Sequence, residues 1–148
     1  MSPNAQLLRP VSQQEVAEYH ANGVVCLRGI LDPAWMALMR PTVRRIAVDK
    51  TDVGLLPIYP GRYLARTVPE VRRFIFQSPL GEAAAAVLGS RTVRFFFDEV
   101  FAKAPRSADA TIWHTDRMGW PVTGMTVPSA TSPGAPGRCG PIASSSRK

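Results

Sequence analysis

The sequence predicts an α+β fold in which several helices come first and extended strands follow. From residue 12 to residue 89, helix-starting residues and glycines bracket apolar stretches with helical spacing. From residue 91 to residue 103, valine and phenylalanine are dense, as in a strand. With 148 residues, of which 45% are hydrophobic and 20% charged, the chain suits one globular domain with a core.

The first predicted helix begins near Gln13. Ser12 and Glu15 match a capping box, in which Ser12 accepts from a free backbone N–H and Glu15 reaches back to the cap. Gly23 should end the helix in the left-handed conformation. His20, one of two histidines in the chain, falls on this helix, where we expect a solvated or capping role.

Residues 24–27 form a short apolar run that predicts a buried strand. Asp32 followed by Pro33 then predicts the start of a second helix. Pro41 removes a backbone N–H, so we expect a kink or a break there before the helix finishes around Lys50. The predicted core-facing residues of this helix are Trp35, Leu38 and Met39.

Glycines and prolines interrupt any periodicity in residues 51–68, which predicts a long loop. Residues 69–76 predict a short helix. Ser78 as cap, with Pro79 as first helical residue, predicts another helix that Gly89 ends. The residues of the earlier helix expected to face the core are Val71, Phe74 and Ile75.

Residues 91–103 are the longest strand candidate. Both of its faces are mostly apolar, so it should be covered on both sides. Alternation places Phe95, Phe97, Glu99 and Phe101 on one face and Arg94, Phe96, Asp98 and Val100 on the other.

His114 and Asp116 lie two residues apart, so on an extended strand both side chains project to the same side and can reach one cation. An imidazole and a carboxylate are two of the three ligands in the facial triad of non-haem Fe(II) oxygenases. His-x-Asp alone is a weak signal, because it also arises by chance. The alternative is a strand-end histidine bonded to a neighbouring aspartate, with no metal.

The segment Trp-His-x-Asp at residues 113–116, with Trp120 and a proline downstream and residues 94–103 upstream, resembles the phytanoyl-CoA dioxygenase family. The resemblance runs from about Val11 to Gly124. The resembling segments also include residues 22–29 and 74–79. It implies an Fe(II)- and 2-oxoglutarate-dependent oxygenase that hydroxylates a small organic substrate, built on a double-stranded β-helix, or jelly roll.

The resemblance also implies roles for individual residues. His114 and Asp116 correspond to the first two metal ligands, while Trp113 and Trp120 would support the strand and line the substrate approach. Glu99 lies near a position where the family places a polar side chain facing 2-oxoglutarate, although a carboxylate suits an anionic cosubstrate poorly. The family's second histidine and its arginine clamp for 2-oxoglutarate have no counterparts in these 148 residues.

After residue 127 the composition changes. Residues 128–148 contain four prolines, three glycines and five serines but no aromatic residue, which predicts a disordered tail after a partial oxygenase domain at residues 1–127. A truncation or frameshift would explain this change. We therefore expect an incomplete jelly roll, no activity from the chain as it stands, and self-association through uncovered strand edges.

Two alternatives to an enzyme remain: a non-catalytic truncated or frameshifted product, and a small basic nucleic-acid-binding module. The net charge of +7 invites the second. However, 3 of the 18 basic residues and none of the 11 acidic residues lie in the tail, and the remaining basic residues are scattered, so nucleic acid is disfavoured. No membrane span and no secretory signal are recognisable, which favours the cytoplasm.

Limited proteolysis should therefore cleave first within residues 128–148, and a chain ending at residue 127 should unfold at the same urea concentration as the full chain. Mass spectrometry of early fragments and a pair of urea titrations would measure this. A protease-resistant tail whose removal unfolds the rest would contradict the compositional argument.

Overall fold

The computed structural model describes residues 2–49 and 63–100, and these form a helical layer. None of the helices in these two ranges is long and apolar enough to span a membrane. The regular elements are helix α1 (Gln13–Asn22), helix α2 (Pro33–Arg44), a π-helical segment (Arg45–Asp49), a 3-10 turn (Leu64–Arg66), helix α3 (Pro69–Gln77) and helix α4 (Leu80–Leu88).

Helix α1 confirms the predicted capping box. The Ser12 hydroxyl accepts from the Glu15 backbone N–H at 3.2 Å, and the Glu15 carboxylate accepts from the Ser12 N–H at 2.9 Å. Gly23 ends the helix with φ of 73°, and its N–H donates to the Tyr19 carbonyl at 2.7 Å. Each end of the helix therefore supplies partners for backbone groups that the helix itself leaves unpaired.

The segment before α1 is held to the start of α2 by polar contacts. Arg9 forms a bidentate ion pair with Glu15, with N–O distances of 2.6 and 2.8 Å, and also donates to the Arg28 carbonyl. The Asn4 N–H donates to the Asp32 carboxylate at 2.8 Å, and the Asn4 carbonyl accepts from the Trp35 indole at 2.7 Å. Charged and capping groups thus fix the path of the amino-terminal segment.

Helix α2 begins as predicted, with Asp32 as cap and Pro33 in the first turn, but it is not interrupted at Pro41. It continues to Arg44, and the irregular part is the π-helical segment that follows. The lost N–H of Pro41 affects one ladder bond near the end of the helix, and the Thr42 hydroxyl donates to the Leu38 carbonyl at 3.0 Å. A π-helical turn, which is wider than an α-helical one, follows at Arg45.

The core lies between α2, the 3-10 turn and α3. Trp35 is buried on α2 and meets Phe74 of α3 edge to face, with ring centroids 6.0 Å apart. Met39 and Ile75 pack against the core from opposite helices, as the predicted apolar stripes require. The buried members of the main cluster are Ile46, Leu64, Ala65, Val68 and Val71.

Helices α3 and α4 occur in the predicted order, and the start of α4 differs from the prediction by one residue. Helix α4 starts at Leu80, so Pro79 occupies the cap position that was predicted for Ser78. The Ser78 hydroxyl still accepts from the Leu80 N–H, at 3.4 Å. Gly89 ends the helix in the left-handed conformation, with φ of 62°, as predicted.

The two strand predictions that fall on described residues are not confirmed. Residues 24–27 and 92–98 belong to no strand, and Glu99 forms an isolated bridge. An extended segment becomes a strand only when a second backbone pairs with it along its length. Valine and phenylalanine in residues 92–98 give strand propensity, but within the described ranges no neighbouring segment pairs with them.

The segment that follows α4 contacts the 3-10 turn, and Asp98 makes this contact. The Asp98 carboxylate accepts from the backbone N–H groups of Leu64, at 2.7 Å, and Ala65, at 3.1 Å, and its carbonyl accepts from the Tyr63 N–H at 2.9 Å. The carboxylate caps the turn from 34 residues away in the chain. Leu64 and Ala65 are themselves buried, so this contact joins the segment after α4 to the core.

Replacing Glu15 by Gln should lower the free energy of unfolding by about 1 kcal/mol at pH 7, because the ion pair and the charged half of the capping box are lost. The hydrogen bonds from Arg9 and Ser12 lower the pKa of Glu15 from 4.5 to about 2. Because the folded-state pKa is depressed, this stabilisation is present above pH 4.5 and is lost as the pH falls towards 2.

Urea titrations of wild type and Glu15→Gln from pH 7 down to pH 3 would measure the loss. Glu18→Gln makes the same change at an exposed position of α1 and serves as the matched control. An equal, pH-independent effect of both substitutions would contradict the assigned role of Glu15.

Replacing Asp98 by Asn should lower the free energy of unfolding by about 1–3 kcal/mol, because an amide has one acceptor oxygen for two backbone donors. Amide hydrogen exchange should quicken at Leu64 and Ala65. The Arg72 N–H, which donates to the Val68 carbonyl in α3, is the internal control. Unchanged exchange at Leu64 and Ala65 would show that the turn does not depend on this carboxylate.

Candidate functional site

The predicted metal ligands His114 and Asp116, and the predicted lining residues Trp113 and Trp120, lie outside the described residues. Their roles stay predictions. Within residues 2–49 and 63–100, no group of three histidine, cysteine or acidic side chains is arranged to hold a metal ion.

His20 and Glu99 are the two candidate residues of the sequence that the structure does describe. His20 is exposed on α1, with its ring edge-on to Tyr19 at 5.7 Å. Glu99 is half-buried directly after Asp98. Helix α1 contacts α4, and Asp98, next to Glu99, is bonded to the 3-10 turn.

Asp98 is a partly buried acidic residue that is bonded to the 3-10 turn. Burial raises the pKa of the Asp98 carboxyl above its usual value, against the lowering effects of the Ala65 and Leu64 amides and the charge of Arg66. Tyr63, which precedes the turn, is held in the left-handed conformation, with φ of 58°, a region that costs a non-glycine residue energy. Its ring lies 6.0 Å from that of Phe97.

A cavity of about 240 Å³ opens beside this turn. Two arginines contribute to its wall, each above an aromatic ring. The Arg66 guanidinium lies 5.1 Å from the centroid of Tyr63, and that of Arg72 lies 5.2 Å from the centroid of Phe76. The lining residues are Tyr63, Ala65, Arg66, Arg72, Phe76, Phe95, Phe96 and Asp98.

The aromatic part of the wall is partly open to solvent. Phe76 and Phe95 meet edge to face, with centroids 5.3 Å apart, yet they are 55% and 44% exposed. Phe96 is 52% exposed and contacts Phe97 edge to face at 5.5 Å. Large aromatic side chains exposed together at the mouth of a cavity are typical of a binding surface.

Sequence reasoning did not single out this cavity. Tyr63 and Arg66 lie in a stretch without periodicity, and Arg72 belongs to a basic pair that favours a solvated helix face. The spacing of four between Arg72 and Phe76 does predict contact on one helix face. No local signal could place Asp98 against a turn 34 residues earlier.

Comparison with known proteins gives one match. No curated protein and no solved structure matches the chain. The family model described as phytanoyl-CoA dioxygenase (PhyH) matches residues 19–137, a range that contains His114, Asp116 and Glu99. The match starts later than the resemblance found by inspection and extends 13 residues beyond Gly124. Since it covers most of the 148 residues, this chain belongs to the phytanoyl-CoA dioxygenase family, a family of jelly-roll dioxygenases.

Proposed function

We propose that the chain derives from an Fe(II)- and 2-oxoglutarate-dependent oxygenase that hydroxylates a small organic substrate. The observation that carries the proposal is the His114-x-Asp116 motif inside the range that matches the family. An imidazole nitrogen and a carboxylate oxygen are the donors that non-haem Fe(II) takes in such enzymes. The bound metal would supply O2 activation coupled to oxidative decarboxylation of 2-oxoglutarate.

Each residue would have a distinct task. His114 and Asp116 would hold the metal from one side, and Trp113 and Trp120 would line the substrate approach with apolar surface. Glu99 falls near the family's 2-oxoglutarate-facing position, but a carboxylate repels an anionic cosubstrate, so the main contact to 2-oxoglutarate would come from elsewhere. The substrate would be a small molecule, and its identity would depend on loops that this motif does not determine.

The number of histidines limits what the 148-residue polypeptide can do by itself. It contains only His20 and His114, and His20 is exposed on α1. Losing a second-shell partner costs roughly 10–100-fold in metal affinity, and losing a ligand should cost far more. We therefore propose that this polypeptide alone binds Fe(II) weakly and does not turn over 2-oxoglutarate, which is the non-catalytic alternative.

Metal binding can be tested without turnover. Co(II), whose visible absorption reports nitrogen and oxygen ligands, should bind weakly to the chain, and His114→Ala or Asp116→Ala should abolish the signal. Added imidazole should strengthen Co(II) binding, because it supplies the third nitrogen donor. His20→Ala is the matched control and should change nothing.

Unaltered Co(II) spectra in His114→Ala and Asp116→Ala would show that neither residue is a metal ligand.

Succinate formation from 2-oxoglutarate, with added Fe(II) and ascorbate, should stay at background for the 148-residue polypeptide. Turnover abolished by His114→Ala and also by His20→Ala would contradict this expectation and identify His20 as the third ligand. Turnover abolished by His114→Ala alone would point to a ligand from a second copy, which a mixing experiment with His114→Ala chains would detect.

A further inference from the structure

We propose that the cavity beside the Tyr63 turn binds a small organic carboxylate with an aromatic body. Two cations, an aromatic wall and a limited volume support this assignment. The lining residues that the structure describes include neither His114 nor Asp116, so their chemistry can be argued separately from the predicted metal ligands.

The two guanidinium groups supply the anion-binding chemistry. Each lies over a ring face, Arg66 over Tyr63 and Arg72 over Phe76. A guanidinium carries its N–H donors in a planar fork, which matches the two oxygens of a carboxylate. Within the described ranges, neither arginine forms an ion pair with an acidic side chain.

Asp98 is the acidic group in the lining, and it does not cancel the positive charge. Its carboxylate accepts from the Leu64 and Ala65 N–H groups, which turns it towards the backbone of the turn. Two arginines against one carboxyl leave a net positive lining whether or not Asp98 is ionised. An anionic ligand such as a carboxylate therefore complements the cavity better than a neutral ligand.

The aromatic side chains define the rest of the ligand. Phe95 and Phe96 stand partly exposed in the lining, and Phe76 meets Phe95 at a T-shaped angle of 72°. A flat ring in the ligand could pack against these rings in offset or edge-to-face geometry. The volume of about 240 Å³ lies below the roughly 300–1,000 Å³ typical of sites for drug-sized ligands, so the ligand should be small.

Benzoate is the probe that fits this description. Its binding to the full chain can be followed by saturation-transfer NMR and titration calorimetry, without metal and without turnover. We expect a Kd on the order of 1 mM, which corresponds to about −4 kcal/mol. Acetate, which lacks the ring, and benzyl alcohol, which lacks the charge, should each bind at least about fivefold more weakly.

Substitutions then assign the site. Arg66→Gln and Arg72→Gln should each weaken benzoate binding about three- to tenfold. Arg44→Gln, the same change at an exposed position of α2 outside the cavity, should leave it unchanged. Arg72→Lys keeps the charge but loses the planar fork, so this variant should bind benzoate with intermediate affinity. Such a graded loss would show that weaker binding is not caused by unfolding.

Absence of benzoate binding, equal binding of acetate or benzyl alcohol, or an Arg44→Gln effect as large as that of Arg66→Gln would each overturn the assignment. Far-UV circular dichroism should be identical in all variants. Because the measurement needs neither His114 nor Fe(II), it can fail while the oxygenase proposal stands, and the reverse also holds.

Discussion

The contact on which the described structure depends is that between the Asp98 carboxylate and the backbone of residues 64 and 65. Helix α3 packs on the 3-10 turn, and α2 packs on α3, so the position of the turn sets the position of both helices. The turn has no side-chain cap of its own. A carboxylate from after α4 therefore supports a main cluster whose buried members, Ile46 to Val71, all precede α4.

The helices could be predicted because their signals are local. Ser12 and Glu15 are three residues apart, Asp32 precedes Pro33, and Gly89 follows a run of helix formers. Such contacts form within one turn, so composition and spacing suffice. The break predicted at Pro41 does not occur: α2 continues through Pro41 to Arg44, and a π-helical segment follows.

The strands and the cavity could not be predicted in the same way. A strand depends on a partner backbone that is often distant in sequence. Residues 92–98 have the propensity of a strand without such a partner in the described ranges. The cavity depends on Asp98 meeting a turn 34 residues away. Family membership, by contrast, follows from the motif around His114 and from the match over residues 19–137. Family membership therefore depends on sequence similarity, whereas the strands and the cavity depend on contacts between distant segments.

Helix α1 has no buried residue, although it contacts α4 and is bonded at both ends. Helix α3, by comparison, buries Val71 and Phe74. Apolar burial is the larger source of cooperativity, so the two helices should belong to different opening units. Helix α1 can separate in a sub-global fluctuation that leaves the core intact, whereas α3 can open only when the core itself opens. Opening of helix α1 should therefore cost less free energy than global unfolding of the chain.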